Sequence, residues 1–368
     1  MRMTIEVHKR LQQELVSYMT ASPEQAGEEE FNRLALELYR YQYEGNAPFR
    51  AYCRRQGKSP RMAGSWRDIP AVPIQAFKHS TLSTNNPDQA EAIFMTSGTT
   101  DPQARGKHYH PSLAVYDLSM STAFRQYVMQ ERSRIRMGIL FPRPDELPNS
   151  SLAHYLSLAA RDFGSESSQY LIRDGVIDLS ALQEWISEAR GAGEPVMLLG
   201  ATFSFIHALD AAGDSDWRLP AGSLLLDTGG IKGRSRDLDP DVFYTSLQER
   251  FAVDRSRCLN MYGMTELSTQ YYDAGNAQTP AWKSGPHWIR PRTIDPLTGA
   301  DVPPGQRGIL VHCDLANWNA VTTILTEDVA ILAEDGRHFQ LLGRAEGSEA
   351  RGCSLAAESF RAAAGTAR

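Results

Sequence analysis

Residues 258–273 read CLNMYGMTELSTQYYD. An apolar run from Cys258 to Met261 ends at Tyr262 and Gly263, then passes at once to a hydroxyl and a carboxylate, Thr265 and Glu266. In an α/β sheet, polar groups are delivered at the ends of buried strands, and this stretch has that form. Thr265 can donate to a phosphate oxygen. Glu266 can hold Mg²⁺, a hard cation that takes one or two carboxylates plus phosphate oxygens. Tyr262 can stack on a purine. The same letters also suit a helix N-cap, with Thr265 capping an acidic first turn.

Outward from this stretch, short apolar runs ended by Pro, Gly or a polar turn recur in IRMGILFP, PVMLLGAT and GSLLLDTGG, as expected of buried strands. Helices separate them. In SSLAHYLSLAARDF the residues Leu152, Tyr155, Leu156, Ala159 and Phe163 share one face. DPDVFYTSLQERF opens with Asp239 as N-cap and Pro240 at the first helical position, and buries Phe243, Leu247 and Phe251. Strands alternating with helices predict an α/β class. The first 80 residues read as a helical part of this core, which extends over residues 1–307. From Gly308 to residue 345, GILVHCDL, VTTILTEDVAIL and HFQLLGR predict a smaller β-rich subdomain and hinge. Residues 346–368 read as a short tail, with FRAAAGTAR a frayed helix or loose end.

The chain has 368 residues, 38 Lys plus Arg against 44 Asp plus Glu, and a net charge of −6, which argues against a polyanion binder. The N-terminal MRMTIEVHKRLQQELVSYMT lacks the apolar core of a signal peptide, and PVMLLGATFSFIHALDAAG is too short and polar to span a bilayer. Cys53, Cys258, Cys313 and Cys353 form no close pairs, so neither a zinc site nor a disulfide framework is expected, and a cytoplasmic setting fits.

Three further segments can carry chemistry. FMTSGTTDPQARGKH runs apolar residues into Thr96, Ser97, Gly98, Thr99 and Thr100. Small hydroxyl residues around a glycine let N–H and O–H groups converge on an anion, although the Walker pattern is absent. A plain polar turn accounts for the same letters. LLLDTGGIKGR sets Asp227, Thr228, Gly229 and Gly230 at a strand end where backbone can approach a flat ligand. ILTEDVAIL carries Asp328, a carboxylate able to take both hydroxyls of a ribose. His108 and His110 in KHYHP lack a third metal ligand and read as loop or pocket-lining residues. His207, in TFSFIHALD, flanks a pocket or packs in the core, and Phe203 and Phe205 beside it suit the floor of an acyl site.

The order TSGTT, TGG, YGMTE, TED and LLGR over residues 90–345 resembles the adenylate-forming enzymes: acyl-CoA synthetases, amino-acid-activating domains and luciferases. IPAVPIQAFKH, LLDTGGIKGR, MYGMTELSTQYYD and GRAEGSEARGCSLA are similar, more closely, to the acyl-protein synthetases of the LuxE type. The resemblance implies the large N-terminal region of the adenylate-forming fold: two αβ sheet subdomains plus a smaller β-rich one, without the usual mobile C-terminal domain. It implies ATP and Mg²⁺, with Thr96, Ser97, Gly98, Thr99 and Thr100 around the phosphates and Gly229 and Gly230 lining the adenine and acyl pocket. Tyr262 would face the adenine beside Gly263, Thr265 the α-phosphate, Glu266 the magnesium, Asp328 the ribose, and Arg344 the ribose or the hinge.

Two departures accompany it. Asp101 stands where the superfamily has Gly, and the chain ends soon after Arg344, so a positive charge would come from Lys232 or Lys107. The family keeps a C-terminal cysteine as acyl carrier, and RGCSLA matches it at Cys353, on a segment expected to swing between the adenylate and a partner. The implied activity is ligation: an acid is adenylated, then carried as a Cys353 thioester to a reductase, acyltransferase or carrier. Bioluminescence relatives imply long-chain fatty acids. Relatives in natural-product pathways, phenazine antibiotics among them, imply an aromatic acid, activated without the cysteine step. A non-catalytic nucleotide- or acyl-binding protein is the reading from another class, and Asp101 favours it.

Overall fold

The computed structural model describes residues 2–97, 105–230 and 239–365. Gly98, Thr99, Thr100, Asp101 and Lys232 lie outside the described residues. The chain is of mixed α/β class and forms two compact units. One comprises Met1–Thr122, Met264–Thr269 and Gly285–Arg368, the other Ala123–Gly263 and Gln270–Ser284.

The second unit is built on a six-stranded sheet. Its strands run in the order Tyr271–Tyr272, Cys258–Tyr262, Leu224–Thr228, Val196–Ala201, Arg136–Leu140, Gln169–Tyr170. All neighbours are parallel except the short Tyr271–Tyr272 strand. Val196–Ala201 is buried at every position, as a parallel strand covered on both faces must be. The covering helices are Ser151–Phe163, Leu179–Ala192, Thr202–Ala211 and Pro240–Phe251. The last starts as its sequence predicts: Asp239 accepts from the Asp241 N–H, Pro240 follows, and Phe243, Leu247 and Phe251 are buried. Trp185, Trp217, Phe205 and Phe243 fill the core beside Leu198. Phe205 is therefore core rather than a pocket floor, because it faces the sheet, whereas His207 is exposed on the other side of the helix.

In the first unit, Ile289–Ile294, Arg307–Asp314, Thr323–Leu332 and Phe339–Arg344 pair antiparallel in succession, and Val72–Pro73 joins Thr323–Leu332 in parallel. A separate hairpin pairs Ala92–Met95 with Lys107–His110. The helices Arg2–Thr20, Glu28–Gly45 and Ala47–Arg55 supply its N-terminal part.

The chain beyond Glu346 is no loose tail. Gly347–Gly365 is a 19-residue helix that packs against Ala47–Arg55 and the sheet. Cys353, Ala357, Phe360 and Ala363 are buried at the spacing of one helical face, and Phe360 meets Tyr52 with ring centroids 5.1 Å apart. Gly352 permits the close approach, since a methyl there would lie 2.6 Å from Pro296 Cβ.

Candidate active site

Thr96 and Gly106, on the described sides of the hydroxyl-rich segment, meet in a closed neck. Thr96 N–H donates to the Gly106 carbonyl at 2.9 Å, and Gly106 N–H donates back to Thr96 Oγ1 at 2.9 Å. This extends the pairing Met95↔Lys107 by one step. Ser97 is exposed.

Glu266 is at this neck. A methyl built on Gly106 would lie 3.1 Å from Thr96 Cγ2, 3.3 Å from Glu266 Oε1 and 3.5 Å from Phe77 Cβ. Thr96 and the Thr265–Glu266 pair, 169 positions apart in the sequence, therefore converge on one glycine, where even a methyl would be crowded. The Thr265–Glu266 segment is a turn, not a helix start, so Thr265 caps nothing.

Two groups brace that turn. On one side His108 Nδ1 is 2.9 Å from the Thr265 carbonyl oxygen. Carbonyls only accept, so Nδ1 carries the proton and the ring is neutral, in keeping with burial that pushes its pKa down to about 4. His108 and His110 are thus strand residues, not loop residues. Strand alternation turns both inward, with Phe94 and Tyr116 around His110, and sends Lys107 to the opposite face. On the other side Asn317 Nδ2 donates to the Glu266 carbonyl at 2.8 Å, while its Oδ1 accepts from Ser268 N–H at 2.8 Å. Asp314 accepts from Ser268 N–H at 3.0 Å, Thr269 N–H at 2.9 Å, Thr269 Oγ1 at 2.7 Å and Ala316 N–H at 3.0 Å. Asp314 and Asn317 follow the motif by dozens of residues, and no local pattern marks them.

The Glu266 carboxylate is 4% exposed, and burial raises its pKa to about 7. The charges of Lys78 and Arg344 oppose that rise, whereas Glu327 adds to it. Asp328 and Arg344 are cross-strand partners, and their side chains pair at 2.9 Å; the same guanidinium reaches Glu327 Oε2 at 3.0 Å. Among the described residues no three His, Cys, Asp or Glu side chains are grouped to hold a metal. A magnesium that keeps phosphate oxygens and waters needs no such cage, and a single buried carboxylate that a cation would ionise fits it.

The second unit assembles its own set at the C-terminal edge of the parallel strands, where α/β sheets bind ligands. Thr228 pairs with Met261, so Gly229 and Tyr262 leave adjacent strands side by side. Gly229 has φ +102°, a left-handed conformation that favours glycine. Tyr262 is buried, with its ring 6.2 Å from that of Tyr271. Gly230 is exposed and Gly263 half-buried. Beneath this edge lies a polar network. Asp227 accepts from Thr202 Oγ1 at 2.6 Å, Asn260 Nδ2 at 2.9 Å and Tyr244 Oη at 3.0 Å. Lys283 Nζ donates to Asn260 Oδ1 at 2.6 Å and to Asp273 Oδ2 at 2.7 Å. Burial raises the Asp227 pKa to about 6, against those hydrogen bonds and the Lys283 charge.

Cys353 is held where no swinging arm would leave it. The thiol is 6% exposed and packs with Ile294, Ile309, Val311, Leu325 and Val329. Sγ points at the Thr326 carbonyl, 3.8 Å away, two residues before Asp328. Burial, then the Glu327 charge, pushes its pKa up to about 11, so the thiol is neutral here. The segment expected to swing is a docked helix here, lying close on the sheet through Cys353 and its small neighbours. Cys53, Cys258 and Cys313 are buried as well, their thiols pushed up to about 12.

The chain is 24% identical over 339 residues to a long-chain-fatty-acid–luciferin-component ligase of Vibrio harveyi, covering 88% of this chain and 86% of that one. It is 22% identical over 357 residues to the protein of the same name from Aliivibrio fischeri, covering 92% and 91%. Among solved structures, 2-hydroxyisobutyryl-CoA ligase with a bound acyl-adenylate superposes at TM-score 0.63 and 14% identity, over 88% of this chain and 68% of that one. ATP-bound MatB from Rhodopseudomonas palustris matches at TM-score 0.50 and 16% identity, over 71% of this chain; the chain spans about half (49%) of that protein. These likenesses establish the adenylate-forming ligase fold. The family model described as acyl-protein synthetase, LuxE, matches residues 15–360, nearly the whole length, and the chain belongs to that family of ligases.

Proposed function

We propose that the protein activates a carboxylic acid with ATP and then carries the acyl group on Cys353. The acid's oxygen attacks the α-phosphorus of ATP, the bond from that phosphorus to the bridging oxygen breaks, and pyrophosphate leaves with the electron pair. Thr265 donates to the α-phosphate, and the segment from Thr96 through Ser97 surrounds the outer phosphates. Glu266 holds magnesium, which supplies neutralisation of the phosphate charge. Gly229, Gly230, Tyr262 and Gly263 take the adenine and acyl side, and Asp328 the ribose. In the second half-reaction the Cys353 sulfur attacks the acyl carbon, the bond to AMP breaks, and the thiol proton passes to water. The names of the two bacterial ligases favour a long-chain fatty acid as substrate and a partner protein as recipient.

The observation that carries this reading is the meeting of Thr96 and Glu266 at Gly106. Burial of Cys353 favours a second reading, adenylation without a covalent cysteine step. One pair of assays decides both. Pyrophosphate exchange should run with a fatty acid from a panel of acids and fall about 10²–10³-fold in Glu266→Gln, the scale of losing one charge-stabilising group. Absence of exchange with every acid refutes the proposal. Labelled acyl should stay on wild-type protein and be lost in Cys353→Ser while exchange persists; label retained by the serine variant refutes the thioester.

A further inference from the structure

The short helix Ala76–His79 is pinned at both ends to the residues just described. Ahead of it, Gln75 Nε2 donates to Glu327 Oε1 at 2.6 Å, on the carboxylate that also holds Arg344. Within it, Phe77 stands edge-on to His108 with ring centroids 5.7 Å apart, and its Cβ borders the Gly106 neck opposite Glu266. The next residue is Lys78.

The two cations whose fields reach Glu266 differ in their commitments. Arg344 spends its guanidinium on Glu327 and Asp328. Lys78 is exposed, and among the described residues its ammonium makes no hydrogen bond or ion pair. Its charge nevertheless acts on Glu266, ahead of that of Arg344. Arg361 on the C-terminal helix adds positive potential to the same patch; burial, then the charges of Arg361 and Lys78, push the His79 pKa down and favour its neutral ring. A lysine whose charge reaches a buried carboxylate without an ion pair to it keeps its donors for an anion. Of the lysines weighed from the sequence, Lys107 lies on the hairpin face opposite His108, and Lys232 is outside the described residues.

We propose that Lys78 is a catalytic residue whose ammonium pairs with a phosphate oxygen of the nucleotide beside Glu266. The assignment rests on the adenylation reading above. A lysine suits it, being a compact charge that binds phosphate without needing a bidentate geometry. It stays protonated throughout and compensates charge as pyrophosphate departs.

The test is calorimetric titration of the full chain with MgATP and, separately, with adenosine, alongside pyrophosphate exchange. Wild type, Lys78→Met, Lys78→Arg and the exposed control Lys58→Met are compared. Lys78→Met should weaken MgATP binding about tenfold and slow exchange about 10²-fold. Adenosine binding should be unchanged, which also shows that the variant is folded. Lys78→Arg should recover much of both losses, and Lys58→Met should match wild type. If wild type exchanges but Lys78→Met binds MgATP and exchanges equally well, the Lys78 assignment falls and adenylation stands. If wild type binds MgATP without exchanging, adenylation falls, while the binding data still decide Lys78. If wild type binds no MgATP, both fall. Equal loss of adenosine and MgATP affinity would reduce Lys78 to a structural residue and overturn the proposal.

Discussion

Glu266 and Cys353 are both buried in the first unit and both favoured in their neutral forms, yet they are held in opposite ways. Glu266 sits on a turn whose carbonyls and N–H groups are engaged by Asn317, Asp314 and His108, so the backbone that carries it is fixed. Cys353 sits on a helix held by a face of mostly small side chains with Phe360 among them, and by an ion pair between Arg307 and Glu349 at its start. Fixed donors suit a group that must meet a charged transition state without reorganising. A thin interlock of small residues suits an element that must leave. On the proposed function, Glu266 would be in its working position and Cys353 parked, its thiol shielded until the helix lifts.

Breaking the brace should have the largest effect. Asp314→Ala strands the buried backbone N–H groups of Thr269 and Ala316, and removes one partner from the Ser268 N–H, which keeps Asn317, and from the Thr269 hydroxyl, which keeps Ser119. Each unsatisfied group costs on the order of 1–3 kcal/mol, so a loss of about 3 kcal/mol or more is expected in urea unfolding, with exchange activity falling as the turn drifts. A variant as stable and active as wild type would show that Glu266 needs no such support.

The parts of this picture that could be read from the letters are those with local causes. Asp239–Pro240 starts its helix, apolar runs ended by Gly or Pro become the parallel strands, and Thr96 and the TE motif meet at Gly106. The brace could not be read, because Asp314 and Asn317 act across 45 to 51 residues and look like ordinary loop polarity. His108 left a weak signal, the alternation of KHYH, which a four-residue strand turns into two buried rings. The helix at Cys353 left one too, in buried positions at helical spacing. Its docking depends on the contact of Gly352 with Pro296, and no periodicity shows that.

Filling that contact should sharpen the parked state into a movable one. Gly352→Ala puts a methyl 2.6 Å from Pro296 Cβ and 2.7 Å from its carbonyl oxygen, closer than real contacts allow. Overpacking of this kind costs about 1–3 kcal/mol, which at equilibrium is roughly 5- to 150-fold in the undocked population. Alkylation of Cys353 should accelerate by that factor. The pH dependence carries a sign as well. Docking raises the thiol from 9.0 to about 11, so the docked form holds its proton more tightly and loses stability relative to the undocked one as pH rises through that window. Undocking, and with it alkylation, should therefore rise in wild type and Gly352→Ala alike as pH climbs from 9.0 toward 11. An alkylation rate unaffected by the substitution would mean that the thiol is reached without undocking.

The smallest effect belongs to the ion pair. Arg307 Nε and Glu349 Oε1 are 2.8 Å apart, with Arg307 56% exposed and Glu349 22%. Solvent and salt screen such a pair to about 0.2–1 kcal/mol, a factor of roughly 1.4 to 5. Arg307→Met should raise the alkylation rate of Cys353 by no more than that factor at low salt, and the difference should fade as salt is added. A change as large as that of Gly352→Ala would make the pair, and not the small-residue face, the element that keeps the helix down. Charge on a partner surface could then compete for Glu349 and release Cys353 directly. A small, salt-sensitive change leaves the shape of the interface as the restraint, and a partner would have to act on the packing itself.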